Sequence, residues 1–470
     1  MASQAINFLF GTGSTVVLAR LLTPRDYGLI AMVTAITGFF GMFKNLGLSL
    51  ATIQKPEINH AQVSNLFWLN VAMSFVFALI LCGCAPIIAW FYGEPRLRWI
   101  TLALAGTFVF SGLASQHRAL LNRQMRFTAI ALTDIGSASA GIAIAIVMAL
   151  RGAGYWALVS MSVTWSLSSV VLVWVFCRWR PGLPARRAGI TPMLRFGGHV
   201  TGFEVVNYFA RNLDNILIGR FWGANVLGLY SRAYNIMMLP ISQIRGPLNS
   251  VAIPAMSTMH NDPVRYKRYY LKLVTMIAFI TMPIMVFLFV CADQAIYVLL
   301  GRQWLGVVDI FKVLCLNAFI QPVSTTWGLV LISLGQSKRY LTWGIINSTI
   351  IVASFVIGLP WGAMGVDIAY TSISYLLIGP TLWYCFKLTP ISAGDFLSAI
   401  LRPAIASLFA GLVLHAFRLY MSPVSEITSI ECCIAIGLLT YLIALVLLPG
   451  GLPLLRGILS LKTLLLRNEA

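Results

Sequence analysis

The sequence predicts an all-α membrane protein that crosses the bilayer many times, and three observations lead to that fold class. Hydrophobic residues make up 59% of the 470 residues and charged residues only 10%, whereas charged residues supply about a quarter of an ordinary soluble domain. Apolar stretches of about 20 residues, the length that spans hydrocarbon, recur along the whole chain. The Lys and Arg residues are concentrated in alternate gaps between these stretches.

About fourteen apolar stretches have the length of a transmembrane helix. The gaps between them are short, and none is large enough to fold into a catalytic domain outside the membrane. The fourteen predicted spans are residues 4–22, 28–53, 64–91, 98–120, 127–150, 155–177, 196–220, 227–253, 270–291, 307–334, 341–360, 364–386, 403–420 and 427–449.

The basic residues are distributed unevenly between the two sets of gaps. One set holds twenty Lys and Arg residues and the alternate set holds eight. Because positive residues accumulate in cytoplasmic loops, we expect the even-numbered gaps and both termini in the cytoplasm. Topology then accounts for most of the net charge of +19, and we expect no nucleic-acid partner. The richer set is Lys55, Arg118, Arg123, Arg126, Arg178, Arg180, Arg186, Arg187, Arg195, Arg265, Lys267, Arg268, Lys272, Lys338, Arg339, Lys387, Arg402, Arg456, Lys462 and Arg467.

Motifs for catalysis, nucleotides and metals are missing from the sequence. There is no Walker sequence, no Gly-x-Gly-x-x-Gly after a strand and no His-Glu-x-x-His. Most of the eight cysteines lie inside or at the end of apolar spans, where Cys behaves as a small hydrophobic residue. We therefore expect no enzyme activity, no cofactor and no metal, and any driving force must come from an ion or substrate gradient.

An internal repeat relates segments 200 positions apart. Gly28 matches Gly228, and the same offset pairs three further residues with identical ones: Asn7, Arg20 and Leu29 with Asn207, Arg220 and Leu229. Both members of each pair lie on the same predicted side of the membrane, so the two repeats are parallel. Parallel repeats occur in transporters, where the substrate site lies between the two halves. The predicted divisions are a first six-helix lobe (1–180), a cytoplasmic linker (181–195), a second six-helix lobe (196–386), and two extra helices with a basic tail (387–470).

Polar side chains occupy one face of the seventh predicted span. Its four polar residues follow each other at spacings of 3, 4 and 3: Glu204, Asn207, Arg211 and Asp214. A charge in hydrocarbon costs about 3 kcal/mol, so such residues face a cavity or a partner. An ion pair that Glu204 makes with Arg211 is the structural alternative to a site. Four other charged residues near span ends or alone are interpreted as solvated or capping: Asp134, Asp309, Lys312 and Asp367.

The eighth and second spans carry weaker polar faces. The eighth has Arg232, Asn235 and Arg245, and the second has Lys44 and Asn45. Because the repeat would set spans 1, 2, 7 and 8 around one space, we expect a hydrated, positively charged cavity between the lobes. Arg245 and Lys44 lie near predicted cytoplasmic ends, so extension of the side chain to the membrane surface is the alternative for both.

Four stretches together resemble a known family. They read VLARLLTP through YGL (17–29), QHRALLNRQMRF (116–127), LRFG (194–197), and NLDNILIG through GLYSRAYN (212–235). They are similar to the Wzx-type polysaccharide flippases of the multidrug/oligosaccharidyl-lipid/polysaccharide exporter superfamily, closest to the colanic-acid exporter branch. The chain departs from the family at Asn45, where an acid is frequent, and in its short N-terminus, which suggests a trimmed start.

The resemblance implies a fourteen-helix, V-shaped protein of the bacterial inner membrane. Such proteins move undecaprenyl-diphosphate-linked oligosaccharide from the cytoplasmic to the periplasmic leaflet, in contact with membrane lipid, and a polysaccharide polymerase and co-polymerase are candidate partners. Arginine binds a diphosphate through paired hydrogen bonds, and amide groups can bind sugar. The resulting site hypothesis assigns substrate binding to Arg211, Arg232, Arg245, Lys44, Asn45, Asn207 and Asn235, and coupling or ion pairing to Glu204 and Asp214.

Two other functions fit parts of the pattern. A multidrug/cation antiporter of the same superfamily would need an acidic cavity to attract cationic drugs, whereas the predicted cavity is basic. A membrane glycosyltransferase or polysaccharide polymerase would need a large periplasmic loop or an acidic catalytic motif, and the sequence has neither. The flippase is therefore the leading interpretation.

Overall fold

The computed structural model describes residues 2–43, 52–53, 58–184, 191–259, 261–420 and 426–453. Within those ranges the regular structure is entirely helical. The first seven helices are α1 (Ala2–Leu21), α2 (Pro24–Phe43), α3 (His60–Tyr92), α4 (Arg96–Arg123), α5 (Phe127–Leu150), α6 (Trp156–Cys177) and α7 (Thr191–Thr258). The others are α8 (Pro263–Val290), α9 (Ala292–Leu300), α10 (Val308–Ser324), α11 (Trp327–Ser333), α12 (Ser337–Gly358), α13 (Gly362–Leu376), α14 (Ile378–Phe386), α15 (Ala393–Tyr420) and α16 (Glu426–Leu447).

Nine helical segments in the described part of the chain are long and apolar enough to cross a membrane. Large apolar side chains remain exposed on them, as with Leu412 at 70% and Leu438 at 59%. Exposure of these side chains to water would cost free energy, whereas in a bilayer they contact hydrocarbon. A helix can cross that hydrocarbon because its backbone hydrogen bonds lie within the helix. The predicted multi-pass all-α class is confirmed, and the number fourteen stays a prediction.

Local sequence signals explain where several helices begin and end. Asn59 precedes α3 and accepts a hydrogen bond from the Gln62 backbone N–H at 2.8 Å, while the Gln62 side chain accepts one from the Asn59 backbone N–H at 3.3 Å. This reciprocal pair is a capping box. α3 ends at Gly93, whose φ of 67° suits a residue without a Cβ. Asp262 caps α8, which has Pro263 at its first position.

The chain forms two compact units, Met1–Ser231 and Arg232–Ala470. In the first unit α3 packs along α4, α5 packs along α6, and α4 also contacts α6. In the second unit α8 lies against α10 and α15, while α13 packs on α10 and α12. The lobe and linker limits predicted from the sequence remain predictions.

The segment from Trp179 to Gly182, which leads into the predicted linker, is held by side chains of α3 and α4. His117 of α4 lies in hydrogen-bonding distance of the Trp179 carbonyl, with 3.2 Å between Nε2 and O. The Trp68 indole donates to the Gly182 carbonyl at 2.9 Å. The Gly182 backbone N–H donates to the Ser64 hydroxyl at 2.9 Å. Side chains of α3 and α4 therefore replace the regular backbone partners that this extended segment lacks.

Two buried tyrosines organise the core of the second unit. Tyr266 and Tyr270 of α8 are fully buried. The Tyr266 hydroxyl lies 2.7 Å from that of Ser333, and the Tyr270 hydroxyl lies 2.8 Å from that of Thr326. Each ring thus contributes apolar area to the core while its hydroxyl keeps a hydrogen-bond partner.

Candidate substrate site

The seventh and eighth predicted spans form one bent element. Helical backbone geometry continues through α7 except at Gly223, whose φ of 79° and ψ of 178° interrupt it. Backbone angles of this kind are accessible to glycine and strongly disfavoured for residues with a Cβ. We call the parts before and after Gly223 the first and second arms of α7. The sequence predicted a gap at this point, and the chain turns there at a single residue.

Asp214 connects the two arms across the bend. Its Oδ2 accepts a hydrogen bond from the Tyr230 hydroxyl at 2.8 Å. Its Oδ1 accepts from the Asn215 backbone N–H at 2.8 Å and from the Asn215 side-chain amide at 3.2 Å. Asp214 is 5% exposed and Tyr230 is 1% exposed. The carboxylate therefore has three donors, and its visible role is to fix the geometry of the bend.

Two glycines bring the α7 bend into backbone contact with the start of α2. A Cβ on Gly28 would overlap the carbonyl oxygen of Ala224, and a Cβ on Gly228 would overlap the carbonyl oxygen of Pro24. These residues are the matched positions of the sequence repeat, since 24 and 28 correspond to 224 and 228 at the offset of 200. The glycine of each repeat packs against a backbone carbonyl of the other repeat. Such a reciprocal contact is the pattern expected of two segments related by a two-fold axis.

Further contacts extend this junction along α2 and α3. The Tyr208 hydroxyl on the first arm donates to the Ala35 carbonyl at 2.8 Å. Gly219 is also closely surrounded, because an added Cβ would lie 2.9 Å from the Tyr92 ring and 3.2 Å from the Met32 side chain. All of these residues belong to the unit Met1–Ser231. The first arm is therefore packed on both α2 and the end of α3.

Apart from Asp214, the predicted site residues fall into three groups. Arg232 is half-buried and Asn235 is exposed, both on the second arm of α7. Four others lie on α7, but their side chains are outside the described residues: Glu204, Asn207, Arg211 and Arg245. Two lie wholly outside the described residues: Lys44 and Asn45. The basic cavity between the lobes therefore stays a prediction, as do the binding roles assigned to these residues.

An apolar cavity in the second unit was not foreseen from the sequence. It has a volume of about 560 Å³ and lies between the second arm of α7, α8, α15 and α16. Its lining includes Ile236, Phe287 and Leu414. Gly437 of α16 leaves room beside two lining residues, since an added Cβ there would meet the Leu414 and Phe287 side chains only at 3.8 Å. Gly411 of α15 instead allows a close approach, because an added Cβ would overlap the Val286 side chain. Gly437 was the available signal in the sequence, but an apolar residue that lines a cavity looks the same there as one that faces lipid.

The polar groups on the wall of this cavity are already hydrogen-bonded. The Ser407 hydroxyl donates to the Pro403 carbonyl of its own helix at 2.6 Å. The Tyr441 hydroxyl donates to the Phe279 carbonyl at 3.0 Å. The remaining surface is almost entirely hydrocarbon, so the cavity suits an apolar chain and offers little to a sugar or a phosphate.

Comparison with protein families identifies the chain. The family described as "Polysaccharide biosynthesis protein" matches residues 17–309. The chain belongs to this family. Among its relatives, the lipopolysaccharide biosynthesis protein WzxC of Escherichia coli (strain K12) is 24% identical over 392 residues, which cover 82% of this chain and 78% of WzxC. These matches confirm the resemblance to Wzx-type polysaccharide flippases.

Two other relatives match a similar share of the chain. The teichuronic acid biosynthesis protein TuaB of Bacillus subtilis (strain 168) is 25% identical over 91% of this chain and 90% of its own length. The succinoglycan biosynthesis transport protein ExoT of Rhizobium meliloti (strain 1021) is 26% identical over 85% of this chain and 81% of its own length. The family relationship therefore extends through both compact units.

Solved structures share the fold. The lipid II flippase MurJ in an inward closed conformation superposes with a TM-score of 0.76 at 16% identity, covering 94% of this chain and 97% of MurJ. An inward-facing MATE-family multidrug transporter superposes with a TM-score of 0.63 at 14% identity, covering 85% of this chain and 95% of the transporter. At these identities the likeness establishes a polytopic helical membrane fold.

The glycine contact leads to a stability prediction. Gly28→Ala and Gly228→Ala each force a methyl group against a backbone carbonyl, so we expect each to lower the free energy of unfolding by about 1–3 kcal/mol. Gly41→Ala is the matched control on α2, because a Cβ there meets nothing within 4 Å. Thermal unfolding of the purified proteins in detergent measures the difference. Equal unfolding temperatures for all three variants would refute the close contact.

Proposed function

We propose that the protein is a flippase that moves undecaprenyl-diphosphate-linked oligosaccharide repeat units across the bacterial inner membrane. The proposed transport is from the cytoplasmic to the periplasmic leaflet by alternating access, for the assembly of exopolysaccharide, capsule or lipopolysaccharide. Family membership is the observation that carries this proposal, because the relatives are named for lipopolysaccharide, teichuronic acid and succinoglycan biosynthesis. One of them, ExoT, is named as a transport protein.

Such a substrate has two parts that require different environments, one polar and one apolar. The diphosphate and sugars cannot enter hydrocarbon without polar partners, whereas the polyprenyl chain is itself hydrocarbon. The apolar cavity of the second unit supports the lipid half of the proposal, since its wall gives an isoprenoid chain apolar contact without leaving polar groups unpaired. The second arm of α7 lines this cavity and also carries polar residues assigned to the head group.

The proposed head-group site uses the residues predicted from the sequence. Arg211, Arg232 and Arg245 bind the diphosphate and Lys44 assists, because guanidinium groups match two phosphate oxygens at once. The amides of Asn45, Asn207 and Asn235 bind sugar hydroxyls. Glu204 and Asp214 adjust or couple the site. The described contacts of Asp214 with Tyr230 favour an indirect role for it, through the shape of the α7 bend.

The cellular setting is part of the same proposal. Both termini face the cytoplasm, as the excess of Lys and Arg in alternate gaps indicates. Each six-helix lobe moves relative to the other during transport. A polysaccharide polymerase and a co-polymerase would consume the flipped product on the periplasmic side. The protein carries out transport without enzymatic turnover of its substrate.

A multidrug/cation antiporter is the second candidate function. The observation in its favour is the fold that the chain shares with the MATE-family transporter at a TM-score of 0.63. Recognition of cationic drugs requires acidic groups in the cavity, and the residues assigned to the site include four basic and two acidic ones. Drug efflux from cells that express the protein distinguishes this candidate from the flippase.

Removal of the arginines tests the flippase proposal. Arg211→Ala and Arg245→Ala should each abolish polymer export while the protein remains in the membrane, because the diphosphate loses charged partners that hydrocarbon cannot replace. Lipid-linked oligosaccharide should then accumulate in the cytoplasmic leaflet. Arg151→Ala, in an exposed turn after α5, is the control and should export normally. Export that persists in both arginine variants would contradict the assignment of the head-group site.

The apolar cavity has its own test. Gly437→Phe projects a ring into the cavity, whereas Leu439→Phe places the same ring on an exposed position of the same helix. We expect the first variant to reduce export at least tenfold and the second to leave it unchanged, at equal amounts of protein in the membrane. If both variants export at the same rate, the cavity does not accommodate the lipid chain.

A further inference from the structure

Two buried cysteines meet inside the second unit. Cys291 directly follows the last residue of α8, and Cys433 lies in the first half of α16. Both side chains are 0% exposed. Their thiols lie close enough to share a hydrogen bond, and both residues pack with Leu414 of α15 in one apolar cluster. The fold therefore brings together two thiols that are far apart in the sequence.

A second contact fixes how α9 and α16 face each other beside this pair. The Gln294 side-chain N–H donates to the Ser429 hydroxyl at 2.8 Å. Gln294 lies three residues after Cys291, and Ser429 lies four residues before Cys433, so the two contacts are about one helical turn apart along each segment. Two contacts at this spacing set the register between the segments and hold the thiols opposite each other.

Arg418 of α15 connects the same corner of the unit. Its guanidinium donates to the Val290 carbonyl and lies 3.5 Å from the Asp293 carboxylate, which also pairs with Lys312 at 2.9 Å. The guanidinium acts electrostatically on Cys291 as well. A positive charge near a thiol favours the thiolate, which is the form that reacts with disulfides.

The predicted topology places the pair on the periplasmic side of the membrane. Cys291 ends the ninth predicted span, and Cys433 lies near the start of the fourteenth. The adjoining gaps belong to the set that is poor in Lys and Arg, which the positive-inside rule assigns to the outside. The bacterial periplasm is a compartment in which disulfides form and persist. By the same rule Cys177 and Cys385 lie at cytoplasmic span ends, where thiols stay reduced.

We propose that Cys291 and Cys433 form a disulfide bond, with a protein disulfide of the periplasm as the oxidant. One cysteine thiolate attacks the oxidant and forms a mixed disulfide, and the other cysteine then displaces the oxidant's second sulfur. Two electrons reduce the oxidant to two thiols, which take up the two protons that the cysteines lose. Because burial excludes the oxidant and disfavours the thiolate, the exchange takes place during insertion, before α16 packs against α8.

The bond joins two walls of the apolar cavity. Phe287 of α8 and Leu414 of α15 line the cavity and also pack against the cysteine pair. A covalent link between the end of α8 and α16 limits how far these two walls can separate at that point. The inference goes beyond the proposed function and shares with it only the predicted sidedness of the chain.

Thiol counting in whole cells tests the bond. Acid precipitation traps the redox state, and the denatured chain is then treated with maleimide-polyethylene glycol, with or without prior reduction. The wild-type protein should gain two polymer groups on reduction, because two of its eight cysteines are protected as a disulfide. Cys291→Ser and Cys433→Ser should each abolish this gain. Cys432→Ser is the matched control, because it changes the exposed neighbour on the same helix and should keep the full gain.

Two results would overturn the proposal. One is a wild-type protein that binds the same number of polymer groups with and without reduction, which would leave both cysteines as small apolar core residues. The other is a gain that persists in Cys433→Ser or is lost in Cys432→Ser. The wild-type count does not depend on whether a variant folds. Polymer export is not used as a readout, so absence of the bond and failure of the flippase proposal are distinguishable.

Discussion

The contact between the α7 bend and the start of α2 constrains the rest of the first unit. Gly28 and Gly228 allow two helix starts to meet backbone to backbone, each glycine against a carbonyl of the other segment. The close approach brings the first arm of α7 onto α2 and α3, where Tyr208 and Gly219 make further contacts. Asp214 and Tyr230 hold the bend in the shape that this contact requires. Small residues at helix crossings are a common way to pack helices in membranes, where no hydrophobic force drives helices together.

The two units place polar chemistry differently. In the first unit, described polar side chains mainly satisfy backbone groups, as Trp68 does for Gly182 and Tyr208 for Ala35. In the second unit an apolar cavity lies among helices that also bury polar side chains, such as Asn317 of α10 and Asp367 of α13. A protein that carries an amphipathic lipid needs both kinds of environment. The cavity supplies the apolar environment for the hydrocarbon of the proposed substrate.

The sequence predicted the class, the family and the paired glycines, because apolar run length, charge asymmetry and a fixed repeat offset are properties of the chain alone. The sequence alone could not predict which groups the polar side chains on one face of a helix contact. Asp214 lies in register with Arg211, yet it bonds to Tyr230 sixteen residues away because Gly223 bends the helix. The apolar cavity was missed because residues such as Leu414 read as ordinary lipid-facing or core positions. The interpretation of Asp367 as solvated or capping was wrong, because its side chain is fully buried, and the start of its helix could not be placed from the sequence to within several residues.

Cross-linking tests the central backbone contact most directly. Arg25 and Asn225 are exposed neighbours of the contacting residues on the two segments. In a chain with its native cysteines replaced by serine, Arg25→Cys and Asn225→Cys should be joined efficiently by a short bis-maleimide in native membranes. Arg25→Cys paired with Met125→Cys, at the far end of α4, should not react. A pair at 25 and 225 that fails to cross-link while both thiols accept a monofunctional maleimide would contradict the contact.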